Sequence, residues 1–367
     1  MPSAARSSST DASDEALAVR HVSRWRLITL IGAPRPRCHR LEEPVHTPPT
    51  GSRISALGHY QPSRTVTNEE LSSSGDTSDE WIRKRIGVQT RQLAGPDESV
   101  SDMASAAAAK ALAHSGLDAA EIDLVVVATC TALERMPSIA ARVAAHLGIT
   151  APGAFDLNAA CAGFCYALST VDHAIRAGSS SAAIVVGVDK MSDFIDWSDR
   201  STKVIFGDGA GAAVVQRAPA GDPGIGPVVW GSDPGRGGCI TLETGNPEGP
   251  RPLFHQDGQT VFRWATTELA PVALRACTLA GIDPAELGAI VPHQANLRII
   301  DSIARKIGAI NAVVATDVVS SGNTSAGSVP LALSKLLERR EVPQGAPALL
   351  FGFGAGLSYA GQVVRCP

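Results

Sequence analysis

A cysteine at the start of a helix of small residues is the first residue in this sequence that could do covalent chemistry. Cys161 stands in the stretch NAACAGFCYAL, where the alanine-rich pattern predicts a helix over residues 161–177, with Gly178 after its end. The unpaired N–H groups and the dipole of a helix N-terminus favour a thiolate, so we expect a lowered pKa and a nucleophilic sulfur. A cysteine can equally be a small buried hydrophobe, which is the better interpretation of Cys165 and stays open for Cys161.

Two further side chains could assist such a nucleophile. His293, in VPHQANLR, directly follows a predicted apolar strand, and Asn323, in SSGNTSAGS, lies in a glycine-flanked loop before a predicted helix. Each has a structural alternative, because a lone histidine is often structural and asparagine commonly caps a helix or forms a turn. An imidazole and a carboxamide beside a thiol would suit acyl transfer, in which a negatively charged oxygen must be stabilised.

An internal duplication predicts where these residues lie. GLDAAEIDLVVV in the first half aligns with GIDPAELGAIVP in the second at an offset of 165 residues, and the same offset pairs Asn158 with Asn323. Asn158 precedes Cys161 by three residues, and His293 follows the counterpart of a strand predicted at 124–129. We therefore expect Cys161, His293 and Asn323 to converge where the two halves meet.

The two copies predict the same order of elements. Helices alternate with wholly apolar strands, which indicates an α/β fold with buried sheets and ligand sites beyond the carboxyl ends of the strands. The Gly-rich stretch FGFGAGLSYAG at 351–361 follows one strand and can bring backbone N–H groups close to a reacting carbonyl. The predicted elements are helices over 99–114, 161–177, 266–279 and 328–339 and strands over 124–129, 182–188, 210–216, 289–292, 348–353 and 358–365.

Composition limits the classes of function. The chain of 367 residues has a net charge of −4, which implies no general attraction to nucleic acid, and no apolar run reaches the ~18 residues of a membrane span. Seven scattered cysteines without a Cys-x-x-Cys predict a reducing, cytoplasmic setting and no zinc site. Residues 1–50, rich in Ser, Arg and Pro, predict a disordered N-terminal extension, followed by one half at 51–217 and the other at 218–367.

Six longer motifs surround the candidate residues. They are TSDEWIRKRIGV at 77, ACAGF at 160, FGDGAGA at 206, VPHQANLRII at 291, GNTSA at 322 and GFGAGLSYA at 352. Together they make the sequence similar to the β-ketoacyl-[acyl-carrier-protein] synthase III family of the thiolase superfamily. The resemblance implies a thiolase-like fold, with two duplicated halves in a five-layer αβαβα sandwich, and a homodimer. It also implies initiation of type II fatty-acid synthesis from an acyl-CoA primer and malonyl-[acyl-carrier protein], without a metal, nucleotide or redox cofactor.

The resemblance also implies roles for individual residues. Cys161 resembles the nucleophile that takes the acyl group from CoA, and its N–H and that of Ala355 resemble the oxyanion hole. His293 and Asn323 resemble the pair that stabilises the enolate as the malonyl group loses CO₂. Substrate contacts are implied for Trp81 and Arg200 on the two faces of the CoA adenine, for Thr77, Arg85 and Asn296 elsewhere on CoA, for Arg298 with the carrier protein, and for Met136 in the acyl pocket of the partner subunit.

Other functions stay open on the sequence. The same chemistry could load the starter unit of a polyketide or another specialised product, and the Gly/Pro-rich stretch 221–258, which includes part of the substrate entrance, matches the family weakly. An acyltransferase without decarboxylation is disfavoured by His293 and Asn323, and a non-catalytic subunit is disfavoured by Cys161. A cysteine hydrolase also uses Cys, His and Asn, but the duplication and the HQAN context do not suit it.

Overall fold

Two five-stranded sheets with the same strand order form the frame of the protein. The computed structural model describes residues 51–73, 75–219, 224–243 and 252–367, so the predicted extension at 1–50 and parts of 221–258 lie outside the described residues. The strands are β1 Ser52–Tyr60, β2 Thr65–Thr67, β3 Thr90–Gln92, β4 Leu124–Ala128, β5 Gly153–Leu157, β6 Ala182–Asp189, β7 Gly209–Arg217, β8 Val229–Gly231, β9 Ile240–Glu243, β10 Leu253–Gln256, β11 Ala289–Pro292, β12 Val313–Val314, β13 Pro347–Gly354 and β14 Ser358–Arg365. The helices are α1 Asn68–Ser72, α2 Asp79–Arg85, α3 Val100–Ser115, α4 Ile139–His146, α5 Gly163–Arg176, α6 Arg200–Lys203, α7 Gly258–Ala280, α8 Leu297–Ile307, α9 Val318–Ser321 and α10 Ser328–Glu338.

The topology of the second sheet repeats that of the first. The order of the first sheet is β1-β7-β6-β4-β5, and the second, taken in the same direction, is β8-β14-β13-β11-β12. β4 lies parallel to β5 and β6, as β11 lies parallel to β12 and β13. The two remaining strands of each sheet run antiparallel to their neighbours. The duplicated α/β architecture predicted from the sequence is confirmed.

The sheets and helices stack in five layers. α5 and α10 lie between the two sheets, where they pack against inward side chains such as Val185 of β6 and Leu350 of β13. The neighbouring residues Ile184 and Leu349 point to the outer faces, which α3 and α4 cover on the first sheet and α7 and α8 cover on the second. Because both faces of these strands are covered, the strands are apolar at every position rather than at alternate ones. The αβαβα sandwich is confirmed.

Turns of the same geometry explain why some residues are identical at equivalent positions of the two halves. Gly116 and Gly281 follow the ends of α3 and α7 with φ of +72° and +68°, a left-handed conformation that glycine adopts without strain. Asp118 and Asp283 then begin equivalent capped 3₁₀ turns before β4 and β11. The Gly-x-Asp pattern therefore recurs because both halves contain the same turn.

The longest helix differs from its prediction. α7 begins at Gly258 rather than near 266, because the Asp257 side chain accepts a hydrogen bond from the first turn, and the helix continues through Pro271. The prediction missed this start, since a glycine such as Gly258 usually interrupts a helix. No helix in the described part of the chain is both long and apolar enough to cross a membrane.

Candidate active site

Cys161 lies where the two halves meet. It belongs to a 3₁₀ turn at Ala160–Ala162 that leads into α5. The helix begins at Gly163, later than the predicted start at 161, because residues 160–162 form the 3₁₀ turn instead of the first α-helical turn. From the other half, Ser325 Oγ donates a hydrogen bond to Cys161 Sγ at 3.4 Å. The predicted contact between the halves at this cysteine is therefore present.

The lowered pKa expected for Cys161 is wrong in direction. Burial of the thiol raises the pKa of Cys161 to about 12, although the residue as a whole is partly accessible. The Ser325 hydroxyl lowers this pKa and the carboxylate of Asp189 raises it. Removing the sulfur from water disfavours its charged form, and the sulfur lies ahead of α5 rather than on its first turn. Cys161 is consequently a neutral thiol before substrate arrives.

His293 is a buried, neutral imidazole directly after β11. Its Nδ1 lies 2.8 Å from Ser328 Oγ, and its backbone N–H donates to the carbonyl of Phe351 at 2.7 Å. The ring stands edge-on to Phe353, with the centroids 5.2 Å apart. Burial lowers the pKa of His293 to about 3. When the Ser328 hydroxyl donates to Nδ1, Nε2 carries the proton and can donate to a substrate oxygen.

Asn323 is held by the turn that precedes α10. Its Oδ1 accepts a hydrogen bond from Ser325 N–H at 2.8 Å, and its backbone N–H donates to the carbonyl of Ile205 at 3.0 Å. With Oδ1 occupied, the amide group that can serve a ligand is Nδ2, a donor. Asn323 and Ser325 are two residues apart and Ser325 contacts Cys161. The structure thus brings Asn323 to the cysteine, as the sequence predicted.

A glycine before Ala355 packs directly against Cys161. A Cβ at Gly354 would lie 2.7 Å from Cys161 Cβ and 3.1 Å from its backbone N, closer than such contacts normally allow. Ala355 follows in a 3₁₀ turn that bends at Gly356, with φ of +74°. Only a residue without a side chain lets the backbone at 354 pack this closely on Cys161, and this packing brings the turn that begins at Ala355 next to the cysteine.

A buried carboxylate that the sequence analysis missed joins the loops of the site. Asp189, at the end of β6, accepts hydrogen bonds from Cys130 N–H at 2.8 Å and Ala326 N–H at 3.0 Å, which belong to different halves. The hydroxyls of Thr129 and Thr131 donate to it at 3.0 and 2.9 Å. The sequence signal is an acidic residue ending a wholly apolar strand, which is costly unless several donors meet it.

The residues predicted to contact CoA lie together on the surface near α2 and α8. The guanidinium of Arg200 stacks over the Trp81 ring at 5.0 Å and donates to the carbonyl of Asp76 at 3.0 Å. Asn296 begins α8 and its Nδ2 donates to the carbonyl of Arg85 at 3.3 Å. Thr77 Oγ1 is buried without a hydrogen-bond partner in the described part of the chain.

The two residues predicted to contact proteins are both exposed. The guanidinium of Arg298 lies over the Phe262 ring at 5.0 Å, in the first turn of α8. Met136 is 89% exposed in the loop before α4. Neither residue is held by the core, so both are available to a partner.

Comparison with named proteins shows which family the chain belongs to. A protein of Streptomyces coelicolor named beta-ketoacyl-[acyl-carrier-protein] synthase III 4 is 63% identical over 318 residues, which span 86% of this chain and 99% of that protein. The chain belongs to the β-ketoacyl-[acyl-carrier-protein] synthase III family. It is therefore an acyltransferase. The family model for 3-oxoacyl-[acyl-carrier-protein] synthase III matches residues 155–234 of this synthase. The model for the C-terminal part of the same family matches residues 277–366.

Solved structures agree with this membership. The priming β-ketosynthase from the R1128 polyketide biosynthetic pathway is 46% identical to this synthase III chain, with a TM-score of 0.83 over 86% of this chain and 96% of that one. The 3-oxoacyl-(acyl carrier protein) synthase III of Pseudomonas aeruginosa PAO1 is 38% identical, with a TM-score of 0.81 over 86% and 98%. The resemblance drawn from the sequence motifs is confirmed, and so is the thiolase-like fold.

Proposed function

We propose that this synthase condenses an acyl-CoA primer with malonyl-[acyl-carrier protein] and so initiates type II fatty-acid synthesis through an acyl-Cys161 intermediate. The observation that carries the proposal is the junction of the halves, where the segment 323–328 joins the three residues: Ser325 bonds to the Cys161 thiol, Asn323 accepts the Ser325 N–H, and Ser328 bonds to His293. A thiol that forms a thioester and two neutral donors for an enolate oxygen are what this condensation needs.

In the first step, Cys161 takes the acyl group. Its sulfur attacks the thioester carbonyl of acyl-CoA, the bond to the CoA sulfur breaks, and the proton of the Cys161 thiol leaves on CoA. The carbonyl oxygen becomes negative during the attack and accepts hydrogen bonds from the backbone N–H groups of Cys161 and Ala355. The close packing of Gly354, the residue before Ala355, against Cys161 supports this assignment.

In the second step, His293 and Asn323 serve decarboxylation. The malonyl carboxylate leaves as CO₂, and the electron pair forms an enolate whose oxygen accepts hydrogen bonds from His293 Nε2 and Asn323 Nδ2. A neutral imidazole suits this role, because burial keeps the pKa of His293 at about 3 and it donates without being consumed as an acid. The enolate carbon then attacks the Cys161 thioester, the bond from the acyl carbon to sulfur breaks, and β-ketoacyl-carrier protein is released. The Cys161 thiolate takes one proton from water and becomes a thiol again.

The surface near α2 supports the assignment of a CoA site. Trp81 and Arg200 offer a ring and a planar cation for the two faces of an adenine, and the guanidinium, which stacks on the ring at 5.0 Å, must move off it to admit the base. Asn296 links the start of α8 to the end of α2 at Arg85, so that the adenine region and the loop after His293 are joined. The unpartnered hydroxyl of Thr77 is a further group that a ligand could satisfy.

An acidic carrier protein is the proposed partner of Arg298. This guanidinium is exposed beside the aromatic ring of Phe262, and within the described residues it has no acidic partner. A cation in the first turn of a helix is also unfavourable beside the positive end of the helix dipole. A docking partner with negative charge would relieve both conditions.

We also propose a homodimer built through the edge of the first sheet. Within the part of the chain that the structure describes, β5 is the outermost strand of that sheet and pairs with β4 alone, and its Phe155 is 41% exposed. An unpaired edge strand with an exposed ring favours pairing with another chain. Met136 lies in the loop just before α4, which contacts β5, and is the residue expected to enter the acyl pocket of the partner.

A second candidate function is the loading of a starter unit in a specialised pathway. The observation that favours it is the structural likeness, at 46% identity, to the priming β-ketosynthase of the R1128 polyketide pathway. Both functions use the same chemistry at Cys161, so primer choice and genetic context separate them rather than the site.

The proposed reaction is tested by mass spectrometry of the carrier protein. The purified chain is incubated with malonyl-carrier protein and a series of acyl-CoA primers of increasing length and branching, in the presence of EDTA. We expect β-ketoacyl-carrier protein from at least one short primer, no product from Cys161→Ser, and undiminished product from the control Cys277→Ala, which changes a free cysteine of α7. Product from malonyl-CoA but not from malonyl-carrier protein would contradict the proposal, as would full activity of Cys161→Ser.

Two expectations accompany the proposal. Activity in EDTA would support the prediction that no metal is needed. The cytoplasmic location stays a prediction suggested by the six free cysteines of the described residues, and cell fractionation with an antibody to the chain tests it.

A further inference from the structure

We propose that Ser325 is a further catalytic residue, whose hydroxyl holds the reacting sulfur of Cys161 and stabilises its thiolate. The proposal rests on the proposed function, in that Cys161 is the residue that becomes acylated. Ser325 Oγ donates to Cys161 Sγ at 3.4 Å across the junction of the halves. Ser325 is completely buried, so water does not compete for this bond.

The duplication shows that the hydroxyl is not needed to build the turn. Ala160 stands 165 residues before Ser325, and the two residues have φ of +46° and +49°. Each donates its N–H to the side-chain oxygen of an asparagine two residues earlier, Asn158 at 3.0 Å and Asn323 at 2.8 Å. One geometry is therefore made by an alanine in the first half and by a serine in the second. What the serine adds is the contact with Cys161.

Among the described residues, no charged group that acts on the Cys161 sulfur stabilises a thiolate. The carboxylate of Asp189, at the end of β6, opposes it, and His293, after β11, is neutral because burial lowers its pKa to about 3. Cys130, after β4, remains a thiol, since burial raises its pKa, and its Sγ lies 3.9 Å from Ser325 Oγ. Cys130 can therefore donate to Ser325 while Ser325 donates to Cys161, which directs the hydroxyl proton at the sulfur.

The proposed role of Ser325 depends on the steps of the reaction in which the Cys161 sulfur is negatively charged. The sulfur is most negative while it attacks acyl-CoA and again when the enolate carbon displaces it from the thioester. It is neutral in the thiol and in the acyl-enzyme. A hydroxyl donor gains strength when its acceptor becomes charged, so Ser325 stabilises both charged stages more than the resting ones.

The test measures the reactivity of Cys161 without substrates, so it is independent of whether the condensation takes place. The full chain and two variants, Ser325→Ala and Ser325→Gly, are alkylated with iodoacetamide between pH 6.5 and 9, and the rate at Cys161 is followed by peptide mass spectrometry. Alanine forms this turn at residue 160, and glycine tolerates a positive φ, so both variants keep the backbone. The matched control is Ser334→Ala, because Ser334 is a buried serine within α10 that bonds to His59 instead of Cys161.

We expect both Ser325 variants to be alkylated about tenfold more slowly at each pH, with an unchanged slope, as an upward pKa shift of about one unit would give. Ser334→Ala should react like the unaltered chain. Wild-type rates in both Ser325 variants would overturn the proposal, and so would slow alkylation of the alanine variant alone, because that would be a backbone effect. An equal loss in Ser334→Ala would also overturn it.

Discussion

Replacing Asp189 with asparagine should loosen the junction that carries the active site. The carboxylate receives two backbone N–H groups, of Cys130 and Ala326, on its two oxygens, and two threonine hydroxyls besides. Asparagine offers one oxygen, so one backbone N–H must face the amide nitrogen. Hydroxyls can rotate away, but a backbone N–H cannot, and it stays buried and unsatisfied. That costs about 1–3 kcal/mol, and we expect a net loss of about 2 kcal/mol in the free energy of unfolding.

Urea denaturation of Asp189→Asn, followed by circular dichroism, measures this loss. The matched control is Asp123→Asn, because Asp123 is exposed and accepts only two hydrogen bonds, from Ser180 and Ser181. The control should change the free energy of unfolding by less than about 0.5 kcal/mol. Unchanged stability of Asp189→Asn would refute the view that this carboxylate holds the two halves together.

Three further perturbations follow from the same geometry. Gly354→Ala should prevent acylation of Cys161, because its Cβ would lie 3.2 Å from Cys161 Sγ, and normal labelling by acyl-CoA would contradict this. Burial lowers the pKa of His293 to about 3, below its unfolded value, so its stabilising contribution is complete above pH 6.5 and is lost as the pH falls towards 3. His293→Gln should therefore flatten the fall in stability between pH 7 and 4, and an unchanged fall would count against it. Trp81→Ala should raise the KM for acyl-CoA about tenfold with little change in kcat, and an equal KM would remove Trp81 and its neighbour Arg200 from the CoA site.

The duplicated fold could be predicted because a backbone geometry that occurs in both halves requires the same residue types in both halves. Glycine is the residue that most easily follows α3 and α7 in the left-handed conformation, so Gly116 and Gly281 mark the same turn in both halves. The central strands are buried on both faces and therefore read as apolar throughout. The early start of α7 was not predictable, because its cap at Asp257 precedes a glycine that usually interrupts a helix.

The positions of the candidate site residues were easier to predict than their electrostatics. Asn323 follows from its register with Asn158, and the structure places it beside Cys161 through Ser325. The pKa of Cys161 was predicted in the wrong direction, because a helix start is visible in a sequence while enclosure of one sulfur by the other half is not. Ser325 escaped notice for the same reason, since its partner lies 164 residues away.

Two measurements test most directly whether Cys161 takes the acyl group while His293 and Asn323 serve decarboxylation. Intact-mass analysis of the enzyme after acyl-CoA treatment detects the acyl adduct. Release of CO₂ from malonyl-carrier protein measures decarboxylation. Cys161→Ser should lose the acyl adduct. His293→Ala and Asn323→Ala should keep the adduct and lose decarboxylation. An adduct that survives in Cys161→Ser, or undiminished release of CO₂ from the His293 and Asn323 variants, would contradict the assignment.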